Sequence, residues 1–500
     1  MRSGRIVLAA FSCAVAALTL SPAVYLVVRA SEAGRDTIDS YLLRPRTAEL
    51  LWNTVSLATA VTALSVIVGV GLAWCLTRGV ARSRPLMVAL LTAPLAIPSY
   101  VSGFVWVRTL PDFYGFPAAV LVLTLACYPL VMLPTVAALS GIGRSAEDAA
   151  RTLGCGAARA FLRVTLPRIR LPVAAGALLV ALYAISDFGG PAIVRFEPFT
   201  VGIYNAYNGS FNRTVAAVYG CVLAIMALAL AAGERFIRRD AEPSANAERT
   251  RGIRDHAGAW AFAIGMIGVG LAFPIAGLIS QILRSQRADT ALDDVLPAIG
   301  ATLSLAVQAT LVITLLAIPV AFYTARPRTR LSGFVDTATN LGYALPGVTV
   351  ALSMVFIGLR VVPDWYQTTA LLLIAYAVLF LPVSIGPLRS AIDAMPDAVS
   401  EVSRTLGAGS MATLLRVVLP MIAPGMLAGA ALTCVSVAKE LPATLMLAPV
   451  GTRTLAVDMW SLNNDLAYGR AAVLGLILIA VTSIPTVVLS TLFSRRGPST

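Results

Sequence analysis

The chain contains the polar stretch Glu147-Asp148-Ala149-Ala150-Arg151-Thr152-Leu153-Gly154 and, later, a second version of it, Glu401-Val402-Ser403-Arg404-Thr405-Leu406-Gly407. The two glycines are 253 residues apart, and an acidic residue stands six positions before each of them. Thirteen positions after each glycine comes a proline, Pro167 or Pro420. Long apolar sequence flanks both stretches. The pattern therefore predicts two short polar helices that are held between hydrophobic segments.

The composition of the chain identifies the environment of those segments. Hydrophobic residues make up 58% of the 500 residues and charged residues only 13%, with a mean hydropathy of +0.82. Soluble globular domains carry about 25% charged residues. The apolar runs are close to the roughly 20 residues that a helix needs to cross a bilayer core. We therefore expect an all-α polytopic membrane protein.

The hydropathy pattern predicts about twelve transmembrane helices, arranged as two tandem repeats with a polar linker between them. We expect the first repeat at residues 1–233, a cytoplasmic linker at 234–256 and the second repeat at 257–500. The apolar run that ends near Arg29 is too long for a signal peptide and is interpreted as a retained span. The further spans are expected at about 53–77, 85–107, 117–140, 171–190, 214–233, 257–281, 301–325, 335–358, 368–391, 422–443 and 470–493.

The duplication extends well beyond the polar stretches. Thr54-Val55-Ser56-Leu57 matches Thr302-Leu303-Ser304-Leu305 at an offset of 248 residues, and Pro129 matches Pro382 at 253. Self-similarity at a nearly constant period indicates duplication. Because each repeat has an even number of spans, both copies cross the membrane in the same direction. Such parallel repeats are related by an axis along the membrane normal, with a pathway at their interface.

Arginine predicts the orientation of the chain. All but one of the 38 basic residues are arginines, Lys439 being the exception, and they gather beside the spans. Placing both termini, the linker and both polar stretches in the cytoplasm leaves the arginine-poor loops outside, as the positive-inside rule requires. This distribution favours a membrane protein over a nucleic-acid-binding one. We expect a multi-pass protein of the bacterial inner membrane with cytoplasmic N- and C-termini.

Each polar stretch has the signals of a helix, a turn and a second helix. Ser145 and the acidic pair Glu147-Asp148 form a capping-box pattern, and Gly154 permits a backbone turn. A second helix is expected over Ala157–Leu166, with Pro167 marking the return to the membrane. The two units extend over about 144–168 and about 396–421, the second starting from Asp397. An exposed unit of this kind suits docking into a groove on a partner.

Both units resemble the "EAA" coupling loop of binding-protein-dependent ABC importer permeases. In that family the loop seats in a cleft of a cytoplasmic ATPase and transmits its closure to the membrane helices. The resemblance implies that the ATPase, expected in two copies, contacts Asp148, Ala149, Ala150, Gly154, Glu401, Val402, Ser403 and Gly407. The family prefers Ala-Ala where this chain has Val402-Ser403, so we expect the second docking contact to differ from the first.

Three further segments resemble the ferric-iron importer permeases. They are Ser186-Asp187-Phe188-Gly189, Lys439-Glu440-Leu441-Pro442-Ala443-Thr444-Leu445 and Thr452-Arg453-Thr454-Leu455-Ala456. The resemblance implies that a substrate-binding protein delivers ferric iron at the outer face. Permeases for thiamine, polyamines and phosphonates are relatives with similar architecture, and they remain alternatives.

Two carboxylates, Asp187 and Glu440, correspond at the offset of 253 residues and fall deep within predicted spans. A carboxylate at such a depth is costly unless it is paired or faces a wet cavity, which makes a functional role the first hypothesis. On this hypothesis they line the pathway or its outer gate, where hard oxygen ligands would suit ferric iron. The alternative is an ion pair, to an arginine or to Lys439, that locks the outer ends of the helices.

The chain lacks the motifs of an enzyme. A phosphate-binding loop of the form G-x-x-x-x-G-K-[ST] requires a lysine, and the sequence around Lys439 does not fit it. The six cysteines and the single histidine, His256, show no metal-ligand spacing, so we expect no metal site and no cofactor. A membrane transport subunit driven by a separate ATPase is therefore expected. The rival hypothesis is an ion-coupled secondary transporter, which also has parallel repeats.

Overall fold

The computed structural model describes residues 2–32, 34–79, 84–141, 145–209, 213–239, 256–285, 292–325, 329–396, 398–407 and 409–494. All regular elements in these ranges are helices. In the first half they are α1 Arg2–Ser31, α2 Arg35–Leu42, α3 Pro45–Arg78, α4 Arg84–Thr92, α5 Ser99–Thr109, α6 Phe116–Gly141, α7 Ser145–Thr152, α8 Ala157–Ala160, α9 Leu166–Ser186, α10 Gly189–Ile193, α11 Phe199–Asn208 and α12 Arg213–Arg239. In the second they are α13 Ala257–Ile267, α14 Phe273–Arg284, α15 Leu292–Ala325, α16 Arg330–Ala344, α17 Gly347–Arg360, α18 Thr369–Asp393, α19 Ala398–Thr405, α20 Ser410–Thr413, α21 Leu419–Ala438, α22 Pro442–Leu447, α23 Leu455–Asn464 and α24 Tyr468–Ser494.

The described helices confirm an all-α polytopic membrane protein. Nine of them are long and apolar enough to cross a membrane, and two further pairs qualify as bent spans. Together with the shorter apolar helix Tyr468–Ser483, they coincide with the segments predicted from hydropathy. The predicted linker mostly lies outside the described residues, since α12 continues to Arg239 and the description resumes at His256. Asp397 also lies outside them.

Two predicted spans, 85–107 and 335–358, are sharply bent in the structure. The bend between Arg84–Ala96 and Ser99–Thr109 is 86°, and that between Arg330–Gly342 and Gly347–Arg360 is 100°. The cause is local, because Pro98 and Pro346 disfavour a helical backbone in the residue before them. Ile97 and Leu345 are accordingly extended, with ψ of 120° and 130°. Hydropathy alone suggested uninterrupted spans.

Contacts divide the chain into two compact units whose boundaries differ from those of the sequence repeats. One unit, here the C-repeat unit, comprises Met1–Ile38, Phe211–Ala224 and Ile282–Thr500. The other, the N-repeat unit, comprises Asp39–Ser210 and Ile225–Gln281. The first span of each sequence repeat thus packs with the helices of the other repeat.

Side-chain contacts show how the first span of each repeat is held in the unit of the other repeat. In the C-repeat unit the Thr19 hydroxyl of α1 donates to the Ala338 carbonyl at 3.2 Å, and Tyr25 lies 6.3 Å from Phe356 between ring centroids. In the N-repeat unit Phe273 of α14 stacks on Trp106 at 4.2 Å. An apolar helix surface can pack on any complementary neighbour, so hydropathy carries no information about this exchange.

Small residues allow the central helices of each unit to approach closely. A Cβ on Gly176 of α9 would lie 2.8 Å from the Leu130 carbonyl of α6, and one on Gly429 of α21 would lie 2.8 Å from the Ser384 carbonyl of α18. The two glycines correspond at the offset of 253 residues. Such small-residue contacts are the usual basis of helix packing in a membrane. They fix the position of α9 and α21, which connect the polar stretches to the intramembrane carboxylates.

Candidate coupling hairpins and helix breaks

Both polar stretches fold as a helix, a glycine turn and a second helix, here called the first hairpin (residues 145–167) and the second hairpin (residues 398–420). Gly154 has φ +87° and Gly407 has φ +82°, in the left-handed region of backbone conformation that residues with a Cβ disfavour. In the first hairpin the Cys155 amide donates to the Ala150 carbonyl at 3.0 Å, closing the end of α7. The glycine in the motif is therefore required by the backbone conformation.

The second helix of each hairpin leads into the membrane through one turn of π-helix, at Phe161–Thr165 and Leu414–Val418. In each copy a proline, Pro167 or Pro420, follows directly after the next residue and cannot donate the hydrogen bond of a regular α-helix. The wider turn supplies different partners, since the amides of Leu166 and Leu419 donate to carbonyls five residues earlier. The repeated Leu-Pro thus explains a repeated irregularity in the backbone.

The tips of both hairpins expose leucine. The residue before each turn glycine, Leu153 or Leu406, is 85% or 82% exposed. Leu162, Leu415 and Val402, elsewhere in the hairpins, are also exposed. Several large apolar side chains exposed on one short hairpin indicate a contact surface.

The predicted coupling residues differ in how they are presented. Ala149 and Val402 are exposed on α7 and α19, and Ala150 is half-buried. Ser403 is buried. The side chains of Asp148 and Glu401 lie outside the described part of the chain.

Ser403 has an explanation in the structure. Its hydroxyl lies 2.8 Å from the Thr413 hydroxyl, and both residues are buried between α19 and α20. The matching residues of the first hairpin are Ala150 and Ala160. A pair of small apolar residues in one copy is thus a pair of hydrogen-bonded hydroxyls in the other. At Ser403 the departure from the Ala-Ala of the family is therefore buried within the hairpin, while Val402 is exposed.

The first hairpin is fastened to the end of α3. Glu147 Oε2 lies 3.5 Å from Arg78 Nε and accepts a hydrogen bond from the Thr165 hydroxyl at 3.4 Å. One turn earlier on α3, Trp74 meets Phe161 edge to face at 6.5 Å between centroids. From the sequence, Glu147 has a role only in the cap of the helix, and its counterpart at the repeat offset is a serine. The available signal was Arg78 itself, which ends its span and has a counterpart in Arg326 at the offset of 248 residues.

Asp187 lies where α9 ends and the short helix α10 begins. Its carboxylate accepts hydrogen bonds from the Ser99 hydroxyl at 2.8 Å and from the Gly190 amide at 3.0 Å. Its carbonyl accepts from the Thr200 hydroxyl at 2.9 Å. Ser99 is the first residue of α5, directly after the bend at Pro98. The carboxylate therefore faces the N-termini of two helices, whose dipoles favour negative charge.

Glu440 occupies the equivalent position in the second repeat and is 8% exposed. Its carboxylate accepts hydrogen bonds from the Ala443 amide at 2.9 Å and from the amide and hydroxyl of Thr444 at 3.0 and 2.9 Å. The Tyr376 hydroxyl lies 2.7 Å from the Thr444 hydroxyl and extends this network to α18. A buried carboxylate that accepts several hydrogen bonds is stabilised in place.

The two carboxylate sites are related by a compensating exchange. Ser99 and Asp187 in the first repeat correspond to Gly347 and Glu440 in the second, at offsets of 248 and 253 residues. A Cβ on Gly347 would lie 3.3 Å from Glu440 Oε1, so the glycine leaves room for the longer acid. In the first repeat the carboxylate is therefore bonded to the bend of another span, and in the second it packs against the equivalent bend.

A family model for the inner membrane component of binding-protein-dependent transport systems matches residues 62–240 and again residues 317–496. The chain belongs to this family. Each match contains one bent span, one hairpin and one carboxylate site. This transport component is therefore duplicated within one polypeptide, and its place is the inner membrane.

Curated relatives of this transport component cover either the whole chain or one part of it. The Fe(3+)-transport system permease protein FbpB 2 of Haemophilus influenzae is 29% identical over 478 residues, which is 94% of each chain. The sulfate transport system permease protein CysW of Escherichia coli is 29% identical over 192 residues, 35% of this chain and 66% of its own length. The molybdate/tungstate permease protein WtpB of Pyrococcus furiosus is 27% identical over 37% of this chain and 76% of its own.

Proposed function

We propose that the chain is the permease subunit of an ABC importer and forms the translocation path for ferric iron, which a substrate-binding protein delivers at the outer face. The observation that carries the substrate assignment is the 94% coverage of both chains in the comparison with the ferric-iron permease of Haemophilus influenzae. Relatives named for sulfate and molybdate match only about a third of the chain. The two-repeat architecture therefore supports the iron-type assignment.

The hairpins are the proposed docking elements for a cytoplasmic ATPase, one ATPase subunit on each. Their exposed leucines, Leu153 and Leu406, supply apolar anchors of the kind that a groove on a partner accommodates. Asp148, Glu401 and the alanines of the motif belong to the same short helices. With the hairpins on the cytoplasmic side, both termini are cytoplasmic as well, in agreement with the arginine distribution.

For Asp187 and Glu440 we propose a role in holding the outer gate. Both follow spans of about 30 Å that begin at the hairpins, which puts the two carboxylates toward the outer face. The oxygens already accept hydrogen bonds from amides and hydroxyls, which favours the positioning of bent helices over direct coordination of a passing cation. Movement of either span would change these bonds.

The substrate assignment is tested by uptake in cells that lack the gene and are complemented with it. Labelled ferric iron, thiamine, putrescine, a phosphonate, sulfate and molybdate are compared in parallel. We expect complementation to restore iron uptake alone. Restoration of another substrate without iron would overturn the iron assignment and leave the permease architecture unaffected.

The rival hypothesis of an ion-coupled carrier is tested with the detergent-solubilised protein. We expect an ATPase to copurify in stoichiometric amount, and uptake into liposomes to require that ATPase and ATP. Uptake by the purified chain alone under an ion gradient would contradict the importer proposal. Replacing Leu153 and Leu406 with serine should abolish copurification, while the exposed Leu43, which lies between α2 and α3, should tolerate the same change.

A further inference from the structure

The last turn of α3 makes two contacts with the first hairpin. Trp74 packs edge to face on Phe161, and Arg78 pairs with Glu147 at 3.5 Å. Trp74 and Arg78 are four residues apart, so they lie on the same face of α3. One contact is apolar and the other ionic, and they engage both arms of the hairpin: Glu147 is in its first helix and Phe161 is in its second arm.

The ion pair is shielded from water. Arg78 is 6% exposed and Glu147 is 9% exposed, and the Thr165 hydroxyl donates to the same carboxylate oxygen. Removing one partner of a buried pair leaves an uncompensated charge, so the two groups strongly favour staying together. This contact therefore holds the first hairpin in a defined position against α3.

The other end of α3 is bonded to a different part of the N-repeat unit. Arg46 forms an ion pair with Glu197, and the Thr54 hydroxyl accepts from the Phe199 amide at 2.9 Å. A helix of 34 residues is about 50 Å long. A single helix thus connects the hairpin at one end with the start of α11 at the other.

The second hairpin uses its polar groups differently. Ser403 and Thr413 bond to each other within the hairpin. The residues that match Glu147 and Phe161 are Ser400 and Leu414, which supply neither the charge nor the aromatic ring. The second repeat therefore lacks the residue types that make these two contacts in the first repeat.

We propose that Arg78 and Glu147 are a positioning pair through which movement of the first hairpin is transmitted to α3 and along it to the segment at Glu197 and Phe199. The proposal rests on the proposed function, because the movement is that of the docked ATPase. Neither residue touches the substrate or the nucleotide. Loss of the Arg78–Glu147 pair is expected to uncouple ATP hydrolysis from transport while the ATPase stays bound.

The test measures iron uptake and ATP hydrolysis together in liposomes that contain the whole complex with its binding protein. For Glu147→Ala and Arg78→Ala we expect uptake per ATP to fall about tenfold, within the range of allosteric coupling between sites. ATPase copurification should remain, and hydrolysis should stay within about twofold of the wild-type rate. The reversed pair, R78E with E147R, should recover a large part of the lost ratio, which a purely structural defect would not do.

The control is Glu32→Gln, which removes an exposed ion pair with Arg360 away from α3 and should leave the ratio unchanged. If the alanine variants do not accumulate, Glu147→Gln, which keeps the side-chain volume, replaces them. The proposal is overturned if the assembled single variants show the wild-type uptake per ATP. It is also overturned if the reversed pair shows no higher uptake per ATP than either single variant. Absence of ATP-dependent uptake in the wild-type complex would instead contradict the proposed function, on which this inference depends.

Discussion

At the residue scale, equivalent positions of the two repeats often hold different side chains that fill the same place in the structure. Ser99 with Asp187 and Gly347 with Glu440 both bring a bent span into contact with the end of another span. The shorter acid reaches a hydroxyl, and the longer acid occupies the space that a glycine leaves. The paired changes indicate that each carboxylate site is shaped by packing around it.

Gly190 lies where the first carboxylate site leaves no room for a Cβ. A Cβ there would lie 2.9 Å from Asp187 Oδ2 and 3.0 Å from the Ser99 Cβ. Gly190→Ala should therefore lower the free energy of unfolding by about 1–3 kcal/mol, measured by thermal or denaturant unfolding of the purified protein. Gly265→Ala in α13, where a Cβ meets nothing within 4 Å, is the control and should be neutral or slightly stabilising. Equal stability of the two variants would contradict this account.

The turn glycines make a different prediction, because their surroundings are open. A Cβ on Gly154 or Gly407 meets nothing within 4 Å, so an alanine there suffers only from the positive φ, about 1–2 kcal/mol. Gly154→Ala should weaken ATPase binding by about 5–30-fold, as measured by titration of the solubilised complex. Gly156→Ala, two residues away and equally unobstructed, should bind normally. Equal affinities would show that the turn conformation does not matter for docking.

At the element scale, each hairpin is a small folded unit with its own internal contact. In the second hairpin that contact is the bond between Ser403 and Thr413, and in the first it is the hydrogen bond that the Thr165 hydroxyl donates to Glu147. The π-turn before each Leu-Pro then sets the angle at which the hairpin joins its span. The two copies therefore reach one shape through different side chains.

This exchange can be tested as a double-mutant cycle. Thr413→Ala leaves the buried Ser403 hydroxyl without this partner and should destabilise the protein by about 1–3 kcal/mol. Adding Ser403→Ala recreates the alanine pair of the first hairpin and should recover most of that loss. The measurement is the unfolding free energy of the two single variants and the double variant. Additive losses would mean that the hydroxyls do not act as a pair.

At the scale of the whole molecule, the duplication in sequence and the compact units in space have different boundaries. Helix α1 belongs to the C-repeat unit, and residues 257–281 belong to the N-repeat unit. Each sequence repeat therefore contributes its first span to the unit that contains most of the other repeat. The linker needs to carry the chain between repeats but does not need to hold them together.

A chain divided in the linker should therefore still assemble. Coexpressed fragments 1–239 and 256–500 are expected to copurify, because each fragment brings one span that packs in the unit of the other. A 39–239 fragment lacks α1 and loses one of the two exchanged contacts, so less of it should copurify with 256–500. The measurement is affinity purification through a tag on one fragment, and equal recovery of the long and short fragments would contradict the exchange.

The amino-acid sequence by itself determined the membrane class, the approximate positions of the spans, the duplication and the hairpin motif, because these depend on hydropathy, chain length and local backbone preferences. The turn glycines and the prolines at the bends also act locally, although hydropathy did not reveal the angles. Only the tertiary structure decided which helices pack together, how Asp187 and Glu440 are bonded, and that Glu147 meets Arg78. Those contacts join residues far apart in the chain, and in an apolar environment many helix surfaces are interchangeable until side chains interlock.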